Sequence, residues 1–194
     1  MKQVAIIDYG AGNVQSVQFA FERLGVKNLV TADKSKIQQA SHVVFPGVGH
    51  AKAAKSHLTD TGLIDFIKTL NQPVLGICLG MQLFCNYTEE GSTEGLRIFD
   101  TNVLKFNVDL KVPAVGWAPV NSKDHPLFEN LDNKQFYFVH SYYAELCEQT
   151  IGLADYQVPY SAALANENFF GVQFHPERSG VEGQQLLINF LNLS

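Results

Sequence analysis

Cys78 is the residue whose surroundings point most directly to chemistry. The apolar run Val74–Ile77 leads into this cysteine, which has one glycine two residues before it and another two residues after it. Gly-x-Cys-x-Gly in this position is typical of the strained strand-to-helix turn that holds a nucleophile above a sheet. The partial positive charge of the helix N-terminus favours a thiolate there. The pattern predicts a nucleophilic cysteine, although a small buried side chain would fit the same residues.

A histidine and a carboxylate near the C-terminus are suited to complete such a site. His175 and Glu177 are separated by one proline, and in extended backbone residues two apart point to the same side. An imidazole held by a carboxylate can take the proton of a thiol and return it to a leaving group. The alternative is a histidine and a glutamate in a solvated turn. His140 also ends a strand-like run and is the rival base, because position alone does not select His175.

Two glycine-containing turns need a separate assessment. Gly10-Ala11-Gly12 follows an apolar run, but Gln15 stands where a dinucleotide fingerprint needs its third glycine. Residues 46–49, Pro-Gly-Val-Gly, lack the Gly-Lys-Ser/Thr of a phosphate loop. Their backbone N–H groups could form an oxyanion hole beside Cys78, or the segment could be a simple turn. No His, Asp and Glu trio has metal-ligand spacing on one element, so neither a metal nor a cofactor is predicted.

The elements that must position these residues follow an alternating pattern in the first half of the chain. Short apolar runs, bounded by turn residues, predict buried strands, and apolar residues at helical spacing predict amphipathic helices between them. Such alternation is typical of a parallel sheet with helices on both faces. The predicted strands cover residues 4–7, 29–30, 41–45 and the run into Cys78, and the predicted helices cover residues 14–24 and 63–70.

The second half of the chain has a different pattern. Its strand-like runs are joined by turn residues, which predicts hairpins and an antiparallel extension of the same sheet, and a last helix is predicted near residues 181–193. The fold class is therefore α/β, with a central mixed, mostly parallel sheet flanked by helices. No linker or repeat divides the chain, so residues 1–194 are predicted to form one domain. The strand-like runs of this half are residues 103–106, 136–139, 151–154 and 169–174.

Composition excludes several classes of function. The formal net charge of -5, without a basic run, argues against nucleic-acid and anionic-membrane partners. Three cysteines without C-x-x-C spacing suggest no disulfide framework. We find no signal peptide and no apolar run near the ~20 residues that span a bilayer. A reactive thiol that must stay free fits the cytoplasm.

Taken together, the motifs resemble the class I glutamine amidotransferases, and the resemblance covers essentially the whole chain. It is carried first by Gly-Ile-Cys-Leu-Gly-Met-Gln at residues 76–82 and by Gln-Phe-His-Pro-Glu at residues 173–177. Within that family, four stretches resemble the glutaminase subunits of imidazole glycerol phosphate synthase. They are residues 7–13, 46–49, 138–143 and 173–179.

The resemblance implies a glutaminase site. Cys78 attacks the side-chain amide of glutamine, ammonia leaves, and water hydrolyses the γ-glutamyl thioester. His175 is then the base and acid, and Glu177 orients it. The resemblance implies an oxyanion hole formed by Leu79 N–H and the loop Gly47, Val48 and Gly49, which in this family is arranged correctly only when the partner is loaded. It implies that glutamine is held by Gln82, Glu90, Ser141 and Tyr142. For Gln82 and Glu90 the alternative is an exposed helix residue and an exposed turn residue.

The resemblance also implies a partner. In this family the ammonia passes to a cyclase subunit with a (β/α)8 barrel, in a heterodimer, which makes imidazole glycerol phosphate and an aminoimidazole carboxamide ribonucleotide in histidine biosynthesis. One segment departs from the family pattern, because Ala114 and Ala118 replace its histidine and asparagine beside Trp117. Three alternatives stay open, and the departure from the family pattern motivates only the first. They are a paralogue that feeds a barrel acting on another metabolite such as a sugar, an independent cysteine hydrolase such as a peptidase, and a subunit that only binds its partner.

Overall fold

Strands and helices alternate along the first half of the chain. The computed structural model describes residues 2–10 and 14–194. All four predicted strands and the first predicted helix are confirmed, whereas the helix predicted for residues 63–70 ends at Ile67. The elements are β1 (Gln3–Ile7), α1 (Val14–Arg23), β2 (Lys27–Thr31), α2 (Lys34–Gln39), β3 (His42–Phe45), α3 (Ala51–Asp60), α4 (Leu63–Ile67), β4 (Val74–Ile77) and α5 (Leu79–Phe84).

Strands predominate in the second half, and the four predicted strands are all present. The longest strand of this half, β8, is not predicted from the sequence because Gly116 and Pro119 interrupt its apolar pattern. The elements are β5 (Tyr87–Thr88), β6 (Thr93–Glu94), β7 (Asn102–Lys105), β8 (Ala114–Ser122), β9 (Lys134–His140), β10 (Tyr142–Ala144), β11 (Thr150–Asp155), β12 (Pro159–Asn166), β13 (Phe169–Val172) and α6 (Gly180–Asn192).

The strands form a mixed sheet with a parallel centre. Within the described residues its main path runs β2-β1-β3-β4-β13-β12-β10-β7-β5-β6, with β11, β8 and β9 branching from β12. Pairing is parallel from β2 to β13 and antiparallel between β13 and β12. The prediction that residues 169–174 belong to the antiparallel extension is therefore wrong on one side of that strand. All four residues of β13 are buried, as expected of a central strand covered on both faces.

Helices cover both faces of the parallel centre, as predicted. Because side chains alternate along a strand, Val4 and Ile6 pack with α1 and α6, whereas Ala5 and Ile7 pack with helices α2 to α5. The two hydrophobic clusters bury the sheet between them, so its strand ends are held in a fixed arrangement. No helix within residues 2–10 and 14–194 has the length and apolar character needed to cross a membrane.

Candidate active site

Cys78 occupies a strained turn between β4 and α5. Its backbone has φ 54° and ψ -110°, which is uncommon for a residue with a Cβ. Such a conformation costs about 1–3 kcal/mol and persists only where the surroundings enforce it. Here the Cys78 N–H donates to the carbonyl oxygen of Val172 on β13 at 2.8 Å. The predicted nucleophile turn is therefore present, with the sulfur at the end of the central strands.

Close contact between backbones fixes the position of this turn. A Cβ added to Gly80 would lie 2.1 Å from the carbonyl oxygen of Phe45, at the end of β3. A Cβ added to Gly47 would lie 2.5 Å from the backbone nitrogen of Gly80. Only glycine allows this approach at both positions. The result is that residues 46–49, which we call the oxyanion loop, lie directly against the first turn of α5.

His175 and Glu177 form a buried pair, but not for the reason that the sequence suggests. The imidazole Nδ1 lies 2.8 Å from Glu177 Oε1, and the two side chains are 5% and 2% exposed. The extended strand ends at Val172, and Pro176–Arg178 forms a short 3-10 turn. The pair therefore meets through the turn rather than through the alternation of a strand. The prediction of an extended backbone at Glu177 is wrong, whereas the predicted contact is confirmed.

The charge state of His175 reflects its neighbours. Burial by itself lowers the pKa of the imidazole, but the Cys78 sulfur and the Glu177 carboxylate outweigh this effect and raise that pKa to about 10. Nε2, on the far side of the ring from Glu177, is buried and has no hydrogen-bond partner among the described residues. Since Cys78 and His175 line the same cavity, this nitrogen is available to exchange a proton with a reacting group.

His140, the rival base, has a different environment. Its Nδ1 lies 2.7 Å from the carbonyl oxygen of Tyr142, and because a carbonyl only accepts, Nδ1 carries the proton. Its Nε2 then accepts from the Tyr160 hydroxyl at 3.4 Å. Burial lowers the pKa of His140 to about 4, so the ring is neutral at pH 7. These contacts suit a residue that positions the Tyr142 carbonyl rather than a base for Cys78.

A chain of amide hydrogen bonds connects Cys78 with the segment around Tyr142. Gln82 Nε2 donates to the Tyr142 carbonyl at 3.0 Å and to Gln173 Oε1 at 2.9 Å. Gln173 Nε2 in turn donates to the Cys78 sulfur at 3.6 Å. The sequence reasoning assigns no role to Gln173, although one signal was available. It is a polar residue in a buried apolar run, two positions before His175.

The predicted site residues surround one cavity of about 290 Å³, a volume that suits a small ligand. Among the predicted residues, Gly47 and Glu177 do not line it. Gly47 packs under the first turn of α5, and Glu177 lies behind His175. The predicted residues that line the cavity are Val48, Gly49, Cys78, Leu79, Gln82, Glu90, Ser141, Tyr142 and His175.

The backbone groups predicted to form an oxyanion hole lie close together, but one of them already has a hydrogen-bond partner. Leu79 N–H donates to the carbonyl oxygen of Gly47 at 3.3 Å, so this donor already has a partner. The Tyr9 hydroxyl donates to the carbonyl of Pro46 at 2.8 Å and holds the start of the oxyanion loop. An oxyanion can use the Leu79 N–H only after the Gly47 carbonyl turns away.

The segment that departs from the family pattern lies beside the cavity. Ala114 is buried and Ala118 half-buried on β8, whereas Val115 and Trp117 are 59% and 54% exposed. Val115 pairs with Val139, which lines the cavity. The two alanines therefore sit in a strand that presents large apolar side chains next to the mouth of the site.

Two other predictions from the sequence concern a glycine-containing turn and a metal site. The Gly10-Ala11-Gly12 turn falls partly on residues 11–13, which lie outside the described residues. Within the described chain, no group of three or more His, Cys, Asp or Glu side chains is arranged to hold a metal ion. The structure brings together the residues predicted to act as nucleophile, base, orienting carboxylate and backbone donors.

Comparisons with known proteins agree with this arrangement. The family model for glutamine amidotransferase class-I matches residues 5–193. Imidazole glycerol phosphate synthase subunit HisH from Bacteroides thetaiotaomicron is 48% identical over 195 residues, covering 98% of this chain and 100% of that protein. The HisH subunit from Pasteurella multocida is 46% identical over 194 residues, covering 98% of both. The structure of PurLQS from Thermotoga maritima matches with a TM-score of 0.73 at 17% identity, covering 98% of each chain, which supports the fold.

Proposed function

The chain belongs to the class I glutamine amidotransferases, and from this premise we propose that its cavity hydrolyses glutamine through Cys78, His175 and Glu177. Relatives 46–48% identical over nearly the full length carry the name HisH, so the chain is a glutaminase subunit of imidazole glycerol phosphate synthase, in histidine biosynthesis. The observation that carries the proposed site is that Cys78, at its strained turn, and His175, which Glu177 contacts from behind, line one cavity.

The proposed reaction begins with attack of the Cys78 thiolate on the side-chain carbonyl carbon of glutamine. The carbonyl π electrons move to oxygen, which gives a tetrahedral oxyanion. His175 gives its Nε2 proton to the amide nitrogen, the C–N bond breaks, and ammonia leaves a γ-glutamyl thioester. Neutral His175 then takes a proton from water, and the hydroxide attacks the thioester. Collapse of this second intermediate releases glutamate and restores the thiolate.

The raised pKa of His175 suits the first of these proton transfers. A protonated imidazole in this cavity has a proton ready for the leaving amine. Glu177 stabilises this imidazolium through its 2.8 Å contact with Nδ1, and so leaves Nε2 facing the cavity. We therefore assign Glu177 the role of orienting His175.

The oxyanion would be stabilised by Leu79 N–H and by N–H groups of the oxyanion loop. Because Leu79 N–H is bonded to the Gly47 carbonyl, the isolated chain needs a rearrangement before it can stabilise the transition state. We propose that the partner subunit drives this change when it has bound its own substrate, so that glutamine is hydrolysed only when an acceptor for ammonia is present.

Glutamine would be held by the side chains and backbone around the same cavity. Gln82 is anchored through its Nε2 to Tyr142 and Gln173, and its side-chain oxygen, which has no hydrogen bond to the described residues, can accept from the substrate. We assign the Glu90 carboxylate to the α-ammonium group of glutamine and the Ser141-Tyr142 backbone to its α-carboxylate. No cofactor takes part in this scheme.

We propose that the partner is a cyclase subunit with a (β/α)8 barrel in a cytoplasmic heterodimer, and that ammonia passes directly to it. The relatives named HisH favour this acceptor over a sugar-modifying barrel. Ala114 is buried and Ala118 half-buried, on the same strand as the exposed Val115 and Trp117, so we expect the two alanines to affect the partner only through that strand and to leave the chemistry intact.

The test uses the chain with a cyclase subunit and its nucleotide substrate. We expect glutamate release to be weak for the chain alone and to rise strongly in the loaded complex. Cys78→Ala should abolish glutamine use, while the complex should still make product from free ammonium. Continued glutamine consumption by the Cys78→Ala complex would rule out the assignment of the nucleophile. Cleavage of peptides by the unaided chain, without glutamine use, would point to an independent hydrolase.

A further inference from the structure

We propose that Glu90 is a positioning residue that couples glutamine binding to the oxyanion loop, residues 46–49. The proposal rests on the proposed glutaminase activity and adds a regulatory role within the same site. In it, one carboxylate contacts both the substrate and the backbone that follows the loop.

The first observation is a hydrogen bond between distant parts of the chain. The Ala51 N–H donates to Glu90 Oε2 at 2.7 Å. Ala51 is buried and begins α3, one residue beyond His50 and two beyond the last residue of the oxyanion loop. A hydrogen bond to an ionised carboxylate is stronger than one between neutral groups, and a negative charge at a helix N-terminus is favourable. Glu90 therefore anchors the far end of the loop.

The second observation is that the turn carrying Glu90 is itself firmly held. The Thr93 hydroxyl donates to the Glu90 carbonyl at 2.8 Å, and the Glu90 N–H donates to Thr88 Oγ1 at 3.2 Å. A Cβ added to Gly91 would lie 2.6 Å from the ring of His50, so the two segments touch. A shift of the Glu90 carboxylate is thus transmitted to residues 50–51 rather than absorbed by the turn.

The third observation is that Glu90 also faces the substrate cavity. It is half-buried and lines the cavity that contains Cys78. Its Oε1 atom has no hydrogen bond within the described part of the chain, so it can accept from the α-ammonium group of glutamine. A ligand shifts a conformational equilibrium only through contacts that differ between the two states. Glu90 supplies such a contact, because its two oxygens join the ligand to the loop.

Hydrogen exchange tests the anchoring without requiring turnover. We expect Glu90→Ala to speed exchange at Ala51 by at least about tenfold, since a hydrogen bond to a charged group is lost. Glu90→Gln keeps a side-chain oxygen as acceptor and should stay much closer to the unmodified chain. Glu89→Ala is the matched control, because Glu89 is the exposed neighbour and its carboxylate accepts from Lys105 N–H instead. Unchanged exchange in Glu90→Ala would overturn the proposal.

Kinetics of the complex with the cyclase subunit test the coupling. We expect Glu90→Gln to raise KM for glutamine by about tenfold or more with kcat nearly retained, because the charge is lost but the anchor remains. Glu90→Ala should raise KM and also lower kcat by about tenfold or more. A Glu90→Ala complex that keeps its kcat would overturn the coupling. If the unmodified complex is inert toward glutamine, the proposed function fails, while exchange at Ala51 still decides whether Glu90 anchors the loop.

Discussion

At the scale of single residues, the two buried histidines of the cavity have opposite electrostatic environments. His175 faces the Cys78 sulfur and the Glu177 carboxylate, which raise its pKa despite burial. The nitrogens of His140 contact a carbonyl and a hydroxyl, neither of which is charged, and burial lowers its pKa. Two side chains of the same type, both at strand ends in the sequence, are thereby suited to different roles. Their neighbours, rather than their positions in the sequence, decide which one can act as a base.

The lowered pKa of His140 predicts a specific pH dependence of stability. The folded state keeps His140 neutral down to a pKa of about 4, whereas the unfolded chain takes up the proton near 6.5. Stability from this residue is therefore present above pH 6.5 and is lost as the pH falls toward 4. Between about pH 7.5 and about pH 5 the loss amounts to about 2 kcal/mol. This loss can be measured as the change in the free energy of unfolding, by denaturant unfolding of the unmodified chain and of His140→Gln at both pH values. The variant should lose less stability over this interval.

Other histidines set the background for that comparison in both chains. The raised pKa of His175 makes stability increase as the pH falls through 6.5, whereas two further histidines act in the same direction as His140. Burial also lowers the pKa of His42 and of His125, so some pH dependence should remain in His140→Gln. An equal loss of stability in both chains would contradict the environment assigned to His140.

The sequence predicts much of the site because its chemistry is concentrated in two short motifs. Cys78 and His175 can be recognised from their immediate neighbours. The contacts of Gln173 and His140 could not be predicted from the sequence, because they depend on how β13, β9 and β10 come together. The same limit applies to Glu90, since nothing near it in the sequence indicates a hydrogen bond to Ala51, 39 residues earlier.

At the scale of elements, the parallel pairing of β4 with β13 creates the site. Phe169 pairs with Val74 and Val172 with Ile77, so the two strands end at the same level. Cys78 and His175 follow these ends closely and therefore meet, although 97 positions separate them. The sequence identifies both strands by their apolar runs, but it does not reveal their direction relative to each other. Strand β12, like β8, is not predicted from the sequence, because turn residues and prolines obscure the strand pattern in this region. The short strands β5, β6 and β10 are not predicted either.

The strained turn after β4 predicts that glycine at position 78 is more stable than alanine, although alanine is usually the more stable of the two. Alanine at residue 78 keeps a Cβ in the positive-φ conformation, whereas glycine adopts it without steric cost. We expect Cys78→Gly to be more stable than Cys78→Ala by about 1 kcal/mol, the reverse of the usual effect of glycine. Denaturant unfolding of both inactive variants measures the difference. A more stable alanine variant would show that the turn is unstrained or relaxes when the sulfur is removed.

At the scale of the whole molecule, an apolar surface lies next to the mouth of the cavity. The exposed side chains of Val115 and Trp117 stand on β8, and Trp117 contacts Tyr137 with ring centroids 6.1 Å apart. Tyr137 accepts the backbone hydrogen bond of His175 at 2.9 Å. A partner bound over this strand would therefore touch residues directly connected to the proposed triad.

Trp117 predicts a change that separates assembly from folding. Because its side chain is 54% exposed, Trp117→Glu should leave the stability of the isolated chain nearly unchanged. We expect the variant to bind the cyclase subunit at least about tenfold more weakly, since large aromatic side chains dominate many interfaces. Titration calorimetry with the cyclase subunit measures this loss. Leu146→Glu is the matched control, as Leu146 is 46% exposed and does not line the cavity. Equal weakening by both variants would argue against an interface at Trp117.

The hydrogen bond from Leu79 N–H to the Gly47 carbonyl has a metabolic consequence. In the proposed function, the rotation of this one peptide plane separates an inactive subunit from one that releases ammonia. Mutations that loosen this plane would make nitrogen release independent of demand, and the cell would lose glutamine to futile deamidation. Selection on this segment should therefore act against mutations that let glutamine hydrolysis proceed without the acceptor, as strongly as against mutations that abolish it.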